Sequence, residues 1–410
     1  MSNKLDKSPY FYSMLGNPRA LFPTISASDH KLRRTAIAPF FSTTAVMRFR
    51  PQVQALTDRF CERIRVCEEN GEPIPVFFAY RCLTVDIIAE YIFGKKLGLL
   101  EREDWGRDFY SAWRSLWEMS PLIRQLPWMM GAFRAMPRWV LALTQPKALE
   151  VVDMETSTDE LTREVLSADP ETVKAKGQPT VLWEVAHSDA LPEHEKSFDR
   201  LKVEGNNILA AGFETTGATL AHLTYCILAD KDVHKRLQKE LEDAIPDEDD
   251  IPDWQKLEKL PYLNAVMKET LSRVAVGAYS RLPRVHRTQS MRYKDWIIPA
   301  GTEVGMSGLY VNMDPDIFQE PKLFKPERWL EPDAQQRLEP YITTFGKGTR
   351  ACVGINLAYT ELYTVIATLL RRFPDLRLHE TTKEDVEPVA DYFAGMWRYE
   401  EGKPGIQVMA

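Results

Sequence analysis

The sequence lacks several features that define common classes of protein. It has no stretch of about 18 consecutive apolar residues and no amino-terminal signal pattern, so neither a membrane anchor nor secretion is expected. Basic side chains are not in excess, because there are 52 Lys and Arg against 59 Asp and Glu, and the formal net charge is -7. Nucleic-acid binding requires a basic surface, so no nucleic-acid partner is expected. As written, the chain is expected to be soluble and cytoplasmic.

Cysteine is scarce, and its arrangement excludes two further classes. The five cysteines are an odd number, lie far apart and form no CxxC pair. Neither a disulfide framework nor a zinc site is therefore expected, and the protein is interpreted as reduced and intracellular. A buried cysteine most often behaves as a small hydrophobic side chain, which is the interpretation for Cys61, Cys67, Cys82 and Cys226.

Repeats, low-complexity segments and long Gly/Ser linkers are also absent, so no linker that would separate domains is recognisable, while the length alone would allow one large domain or two or three ordinary ones. Apolar residues recur at helical spacing through the first part of the chain and predict two amphipathic helices, one through Leu56, Phe60 and Ile64 before Gly71, the other through Val85, Ile88 and Ile92 before Gly94. Further helices are predicted over residues 201–229 and 261–274. The expected fold class is mainly α.

A small β region is predicted after Leu282, where short apolar runs alternate with turns. Residues 296–298, the Pro-Ala-Gly turn at 299–301 and Val304 predict a hairpin. The earlier segment 126–146 is apolar but contains Trp128, Trp139 and basic residues. Two interpretations remain open: a segment lying against a membrane surface, or a helix pair that covers the core.

The stretch TTFGKGTRACVGINLAYTELY at 343–363 surrounds one cysteine with glycines. Phe345, Gly348, Arg350, Cys352 and Gly354 match FxxGxRxCxG, and in this the chain resembles the cytochrome P-450 monooxygenases, whose haem-binding signature this is. The resemblance implies that Cys352 is the iron ligand, that Phe345 shields the sulfur, and that Arg350 pairs with a haem propionate. Gly348 and Gly354 would let backbone N–H groups approach the sulfur.

A polar cluster interrupts the apolar helix predicted over 201–229. The stretch AAGFETTGATL is similar to the family's AGx(D/E)TT at Ala211, Gly212, Glu214, Thr215 and Thr216. By resemblance Thr215 is the gate that makes room for O₂, and Glu214 is the entry for protons. The alternative is a set of Thr hydroxyls that bond carbonyls four residues back.

The family's ExxR and PER(F/W) elements are also recognisable, with one departure. FKPERW carries Arg328 in a PERW element, whereas Glu269 is followed at the third position by Ser272 and at the fourth by Arg273. Positions three and four residues apart share a helix face, so Arg273 can still reach Glu269 and complete the triad with Arg328. An exposed pair on a helix surface is the alternative.

Two further stretches resemble the family's propionate-binding elements. DHKLRR is similar to WxxxR, with His30 in place of tryptophan and Arg34 as the cation, and RLPRV places Arg284 beside the haem edge. A single basic residue usually faces solvent. Together with Arg350 these side chains would neutralise two carboxylates.

The resemblance covers nearly the whole chain and is strongest to fungal secondary-metabolism members similar to trichodiene oxygenases. It implies the cytochrome P-450 fold as a single domain over residues 1–410, one haem b, O₂ as co-substrate, and electrons from NADPH through a reductase. It also implies a monomer at the endoplasmic reticulum surface, with peripheral membrane contact. Relative to that group the chain looks shortened, without the usual anchor, first helix and first strand pair.

The function expected from the resemblance is insertion of one oxygen atom into an apolar small molecule, such as a fungal secondary metabolite. Position relative to the motifs places the following residues in the substrate wall: Ile208, Leu209, Ala211, Val276, Tyr279 and Phe393. Two alternatives stay open. One is a haem-thiolate enzyme that catalyses epoxidation, coupling or rearrangement, and the other is a catalytically impaired haem-binding fragment.

Overall fold

A computed structural model describes residues 5–15, 18–175, 180–273, 282–393, 395–398 and 405–410. The first helices are α1 (Pro9–Tyr12), α2 (Ala27–Ile37), α3 (Thr43–Asn70), α4 (Val76–Phe93), α5 (Arg107–Glu118), α6 (Ser120–Gln125), α7 (Trp128–Arg134), α8 (Arg138–Thr144) and α9 (Ala148–Ser167). They are followed by α10 (Pro170–Ala175), α11 (Val181–Ala186), α12 (Phe198–Ala229), α13 (Lys231–Ala244), α14 (Trp254–Leu257), α15 (Pro261–Arg273), α16 (Gly308–Asn312), α17 (Ala334–Arg337) and α18 (Ile355–Arg372).

The strands are short and form small antiparallel sheets. They are β1 (Asp6–Lys7), β2 (Arg284–Val285), β3 (Met291–Tyr293), β4 (Trp296–Ile298), β5 (Glu303–Val304), β6 (Arg377–His379), β7 (Pro388–Asp391), β8 (Gly395–Trp397) and β9 (Gln407–Met409). One sheet has the order β1-β2-β5, and the pairs β3-β4, β6-β9 and β7-β8 form the others. The expected fold class, mainly α with a small β region, is confirmed.

Helix α3 is amphipathic, as its spacing predicts. The Ser42 hydroxyl caps its first turn by accepting from the Ala45 N–H, and its apolar face is buried through Leu56, Phe60 and Ile64. Helix α4 ends at Gly94, whose φ of +75° gives the predicted left-handed cap.

The amphipathic prediction for α4 is wrong. All of its residues except Glu90 and Tyr91 are buried, because it packs against α3, α9, α11 and α12 at once. Two charged side chains on it are consequently buried as well. Asp86 accepts hydrogen bonds from the backbone N–H groups of residues 98–100, and Arg81 pairs with a carboxylate on α12.

Helix α12 confirms the prediction for 201–229 and begins three residues earlier, at Phe198. It lies close to α4 because it presents glycines there. A Cβ at Gly212 would lie 2.7 Å from Ile88 Cγ1, and one at Gly217 would lie 3.0 Å from the Cα of Arg81. The helix predicted over 261–274 is observed to Arg273, and position 274 is outside the described residues.

The β hairpin differs from the one predicted. Strand β4 pairs with β3 across a tight turn at Lys294 and Asp295, whereas Val304 lies in β5 and pairs with Arg284. The positive φ of Lys294, +51°, allows the two-residue turn. The turn at 299–301 carries the chain between two sheets instead of closing a hairpin.

Segment 126–146 forms the predicted helix pair, α7 and α8, but its large side chains do not cover the core. Trp128 is 67% exposed, Trp139 68% and Leu143 78%. Leu141 is the buried residue of α8. Within the described ranges, no helix is both long and apolar enough to cross a bilayer.

Candidate active site

A large cavity of about 800 Å³ lies in the interior. Its lining includes parts of three stretches that are distant in sequence: residues 14–34, the cavity face of α12, and residues 343–354, here called the cysteine loop. Phe393, which precedes β8 in the chain, also lines the cavity. The cysteine, α12 and DHKLRR motifs therefore converge on one space, whereas Glu269, Arg273 and Arg328 do not line it.

Cys352 opens onto this cavity, which is why its side chain is accessible although protein atoms surround it. Its backbone N–H donates to the carbonyl of Phe345 at 2.7 Å, and Gly348 turns the loop with a φ of +75°. Burial raises the pKa of the Cys352 thiol, while a backbone N–H from Gly354 and the charge of Arg34 oppose this rise. The other four cysteines are buried.

Gly354 and Phe345 flank Cys352 in its motif, and they contact different parts of the protein. A Cβ at Gly354 would lie 4.0 Å from Cys352 Sγ, an ordinary contact, so the protein alone does not require glycine there. It would occupy space beside the sulfur. Phe345 also lines the cavity and packs on Tyr359, with ring centroids 5.4 Å apart.

The predicted cations lie close together: Arg34 and Arg350 line the cavity, and Arg284 lies behind them, outside its lining. Arg34 donates to the carbonyl of Ala351 at 2.6 Å, and Arg350 donates to that of Thr24 at 2.8 Å. Arg284 donates to the Tyr12 hydroxyl at 3.0 Å. His30 is buried beside them. With Lys7, which the sequence analysis missed, these residues form what we call the cationic cluster.

No ion pair within the described residues involves a member of the cationic cluster. Burial and the charges of Arg350, Lys7, Arg34 and Arg284 lower the pKa of His30 to about 3. Burial, followed by Arg284 and Arg350, lowers the pKa of Lys7 to about 6. Buried like charges without counter-ions are costly, so the cluster is suited to an anionic ligand.

Thr215 and Glu214, the two catalytic residues predicted on α12, both line the cavity. The Thr215 hydroxyl donates to the carbonyl of Ala211 at 2.8 Å, the back-bonding arrangement that was the alternative interpretation. Glu214 accepts two hydrogen bonds from Arg81, at 2.8 and 3.1 Å. The side chains of this pair are only 13% and 4% exposed, respectively. The sequence analysis missed Arg81. It could have been noticed as the one arginine in the largely apolar sequence of α4.

Glu269, Arg273 and Arg328 come together as the helical spacing predicts. Arg328 Nε lies 3.0 Å from a Glu269 carboxylate oxygen, and Arg273 Nη1 lies 3.9 Å from the other. Arg273 also donates to the carbonyls of residues 321–323 at 2.5 to 2.8 Å. Ser272 is buried, and its hydroxyl donates to the carbonyl of Glu269 in its own helix.

The triad is connected to the cysteine loop through the end of α15. The Thr344 hydroxyl donates to the carbonyl of Leu271, and both residues line the cavity. Displacement of this helix end would therefore reach the segment that carries Cys352.

The predicted substrate residues divide into three groups. Ile208, Ala211 and Phe393 line the cavity, whereas Val276 and Tyr279 lie outside the described residues. Leu209 does not line it: it is 1% exposed and packs in the core, since one residue along a helix turns the side chain by about 100°. Aromatic residues missed by the sequence analysis also line it, namely Phe22, Trp113 and Trp117.

A sequence model of the family described as Cytochrome P450 matches residues 2–392 of this chain. The chain belongs to the cytochrome P450 family. It is similar to N-acetyltryptophan 6-hydroxylase of Emericella nidulans, with 34% identity over 93% of this P450 and 74% of that protein. Tryptophan 6-hydroxylase of Fusarium equiseti is 32% identical and conidiogenone synthase of Penicillium rubens 31%; each match covers 96% of this P450, and 76% and 78% of those proteins.

Membership of the P450 family implies a haem, and the chemistry of the cavity fits one. Haem presents iron, a broad apolar ring and two carboxylates. The cavity presents one accessible thiol, an aromatic and aliphatic lining, and a cationic cluster for which the described part of the chain supplies no counter-ion. The fungal relatives named above also confirm the expected group of oxidoreductases.

Proposed function

We propose that this P450 inserts one atom of O₂ into an apolar small molecule of fungal secondary metabolism, with electrons from NADPH through a reductase. The observation that carries the proposal is the joint placement of the Cys352 thiol, the α12 motif and four members of the cationic cluster, namely Lys7, His30, Arg34 and Arg350, on one cavity. An impaired haem-binding fragment is the weaker alternative. Arg273 stands one residue late for the ExxR element, but it still reaches Glu269.

Cys352 would bind the haem iron through its thiolate, and Arg34, Arg284, Arg350 and His30 would hold the two carboxylates. Haem with a thiolate ligand supplies activation of O₂, because the sulfur donates electron density that favours O–O cleavage. Phe345 would keep water from the sulfur, Gly348 allows the turn of the loop through its positive φ, and Gly354 leaves room beside the sulfur.

The residues of α12 would position protons. Donation to the Ala211 carbonyl fixes the hydrogen of the Thr215 hydroxyl, so its lone pairs can accept a hydrogen bond from a group in the cavity. Glu214 is fastened to Arg81 by two hydrogen bonds, so passage of a proton along this carboxylate requires that fork to open. Arg81 is thus a positioning residue for the proton entry.

The cavity lining favours a flat substrate with an aromatic or unsaturated ring. Trp117 stacks on Phe393 with ring centroids 5.7 Å apart and planes 10° from parallel. Phe22 packs edge-on against Phe393, with ring centroids 5.6 Å apart. Aromatic side chains bind flat rings by stacked or edge-on contact, and two relatives are named for hydroxylation of tryptophan or its N-acetyl derivative. Hydroxylation of an aromatic ring is therefore the reaction subtype we favour over epoxidation, coupling or rearrangement.

The test begins with the spectrum of the reduced, carbon monoxide-bound protein. A red-shifted band that Cys352→Ala abolishes and Cys226→Ala retains is expected, because only Cys352 faces the cavity. Product analysis with NADPH, a fungal reductase and a panel of indole, phenolic and terpenoid compounds then tests the reaction. A thiolate band in Cys352→Ala would contradict the ligand assignment, and a wild-type band without any oxygenated product would favour the impaired fragment.

The surface of α7 and α8 fits peripheral contact with a membrane. Its exposed tryptophans lie beside Arg134 and Arg138, a combination that suits the boundary between lipid headgroups and acyl chains. Contact of this kind would hold the enzyme at the endoplasmic reticulum, where family members meet their reductase.

A further inference from the structure

Lys7 is buried in an environment that ordinarily excludes an amine. It is 2% exposed, and its Nζ lies 4.2 Å from the ring centroid of Tyr12 and 4.0 Å from that of Phe22. One of its three N–H groups donates to the carbonyl of Phe22. A lysine ammonium has three donors, so with one such acceptor the charged form of buried Lys7 is unfavourable unless another partner binds it.

The sheet places a second cation directly opposite. Lys7 in β1 pairs with Arg284 in β2, and like charges opposite each other on antiparallel strands are destabilising. The neighbouring acids bind other groups: an Asp6 oxygen lies 3.0 Å from Arg287 Nε, and Glu303 accepts from the Ser8 hydroxyl. Within the described residues no carboxylate pairs with Lys7. The register of β1 and β2 nevertheless places it opposite a second cation, Arg284.

We propose that Lys7 is a direct binding partner of a haem carboxylate and completes the cationic cluster from strand β1. This inference rests on the proposed function. Lys7 lines the same cavity as His30, Arg34 and Arg350, so its free N–H groups and theirs converge on one ligand. The two cations opposed in the β1-β2 pair would then share an anion, which turns their repulsion into attraction.

The assignment has a structural consequence for the amino-terminal segment. Strand β1 is two residues long and is held by its pairing with β2 and by a hydrogen bond from the Lys7 N–H to the carbonyl of Ile25. The segments that follow it contribute Met14, Leu21 and Phe22 to the cavity lining. A bond between Lys7 and the haem edge would therefore fasten this part of the substrate wall to the cofactor.

Proton linkage supports the assignment. The groups that face Lys7 are Tyr12 of α1, Arg284 of β2, Arg350 of the cysteine loop and His30 of α2. Burial and the two arginines hold the pKa of Lys7 near 6, and a carboxylate partner would raise it. The contribution of Lys7 to haem retention should then be full below about pH 6 and be lost as the pH rises from there through the higher pKa of the bound state.

The holoenzyme variants Lys7→Met, Lys7→Gln and Lys7→Arg test the inference, with Lys31→Met as the matched control. Lys31 is exposed on α2, so its loss should change nothing. We expect Lys7→Met to transfer haem to excess apomyoglobin about ten- to a hundredfold faster, the usual effect of losing a charge-assisted hydrogen bond. Lys7→Arg should restore most of the retention. Lys7→Gln keeps a donor for Phe22 and serves if Lys7→Met does not fold.

The propionate bending band of the resonance Raman spectrum provides a readout that a merely structural lysine would not change. It should shift in Lys7→Met and Lys7→Gln, stay near the wild-type position in Lys7→Arg, and be unchanged in Lys31→Met. An unshifted band in all folded variants, or equal haem transfer from Lys7→Gln and wild type, overturns the inference. Absence of the reduced-carbonyl band in the wild type would instead refute the proposed function, so the two failures are distinguishable.

Discussion

Removing the partners of Glu269 one at a time should give a graded loss of stability. Arg328 lies 3.0 Å from the Glu269 carboxylate and both side chains are almost fully buried. Its replacement by alanine leaves a buried charge with only the Trp329 indole N–H and the Lys325 backbone N–H as donors. Breaking one side of such a pair costs about 3 to 5 kcal/mol.

Arg273 should come second, because its bond to Glu269 is long. At 3.9 Å it contributes less to the ion pair, but its guanidinium holds the carbonyls of residues 321–323. Since hydrogen bonds to charged groups contribute about 1.5 to 3 kcal/mol, we expect Arg273→Ala to cost about 2 to 3 kcal/mol. Ser272→Ala removes a single hydroxyl bond within the helix and should cost about 1 kcal/mol or less.

The assay is urea denaturation of the holoenzyme, followed by the thiolate-ligated haem spectrum in wild type and the three variants. The connection from Leu271 to Thr344 predicts that haem is lost in the same order as stability. If Arg273→Ala is indistinguishable from Ser272→Ala, Arg273 is a surface residue worth about 0 to 1 kcal/mol, and the reasoning fails.

Three other predictions concern the proton path and the exposed helix pair. Thr215→Ala should retain haem and substrate binding but release peroxide while NADPH is consumed; unchanged coupling of NADPH use to product would exclude its role. Arg81→Met leaves Glu214 without its buried partner, so unfolding should be easier by about 3 to 5 kcal/mol, with Glu214→Gln in the same background recovering part of the loss. Replacing Trp128 and Trp139 together by serine should reduce binding to anionic vesicles in a sedimentation assay, with little change in solution stability, because both are exposed; unaltered sedimentation would argue against membrane contact.

Features encoded within one short segment were predictable from the sequence. The spacing of Arg273 four residues after Glu269 places both on one helix face without knowledge of the rest of the fold, whereas Cys352 was found through the resemblance of its loop to a family motif. The same local reasoning found α3, which has one apolar face toward the core and an opposite face toward solvent.

Features that depend on distant partners were not predictable in this way. Helix α4 has no polar face because helices pack around it, and the partner of Arg81 lies on α12, far along the chain. Lys7 was missed because only the pairing of β1 with β2 brings it to Arg284. The hairpin was misassigned since a Pro-Gly turn does not reveal which strand its exit will join.

The close contact of α12 with α4 limits how this enzyme can acquire new substrates. A side chain at Gly217 would collide with the backbone of α4, which has no rotamer to change, and one at Gly212 would collide with Ile88. Variation in α12 is therefore confined to positions such as Ile208 and Ala211, which point into open space. In a library of randomised α12 sequences, surviving clones should differ in product profile through those two positions while the glycines remain invariant.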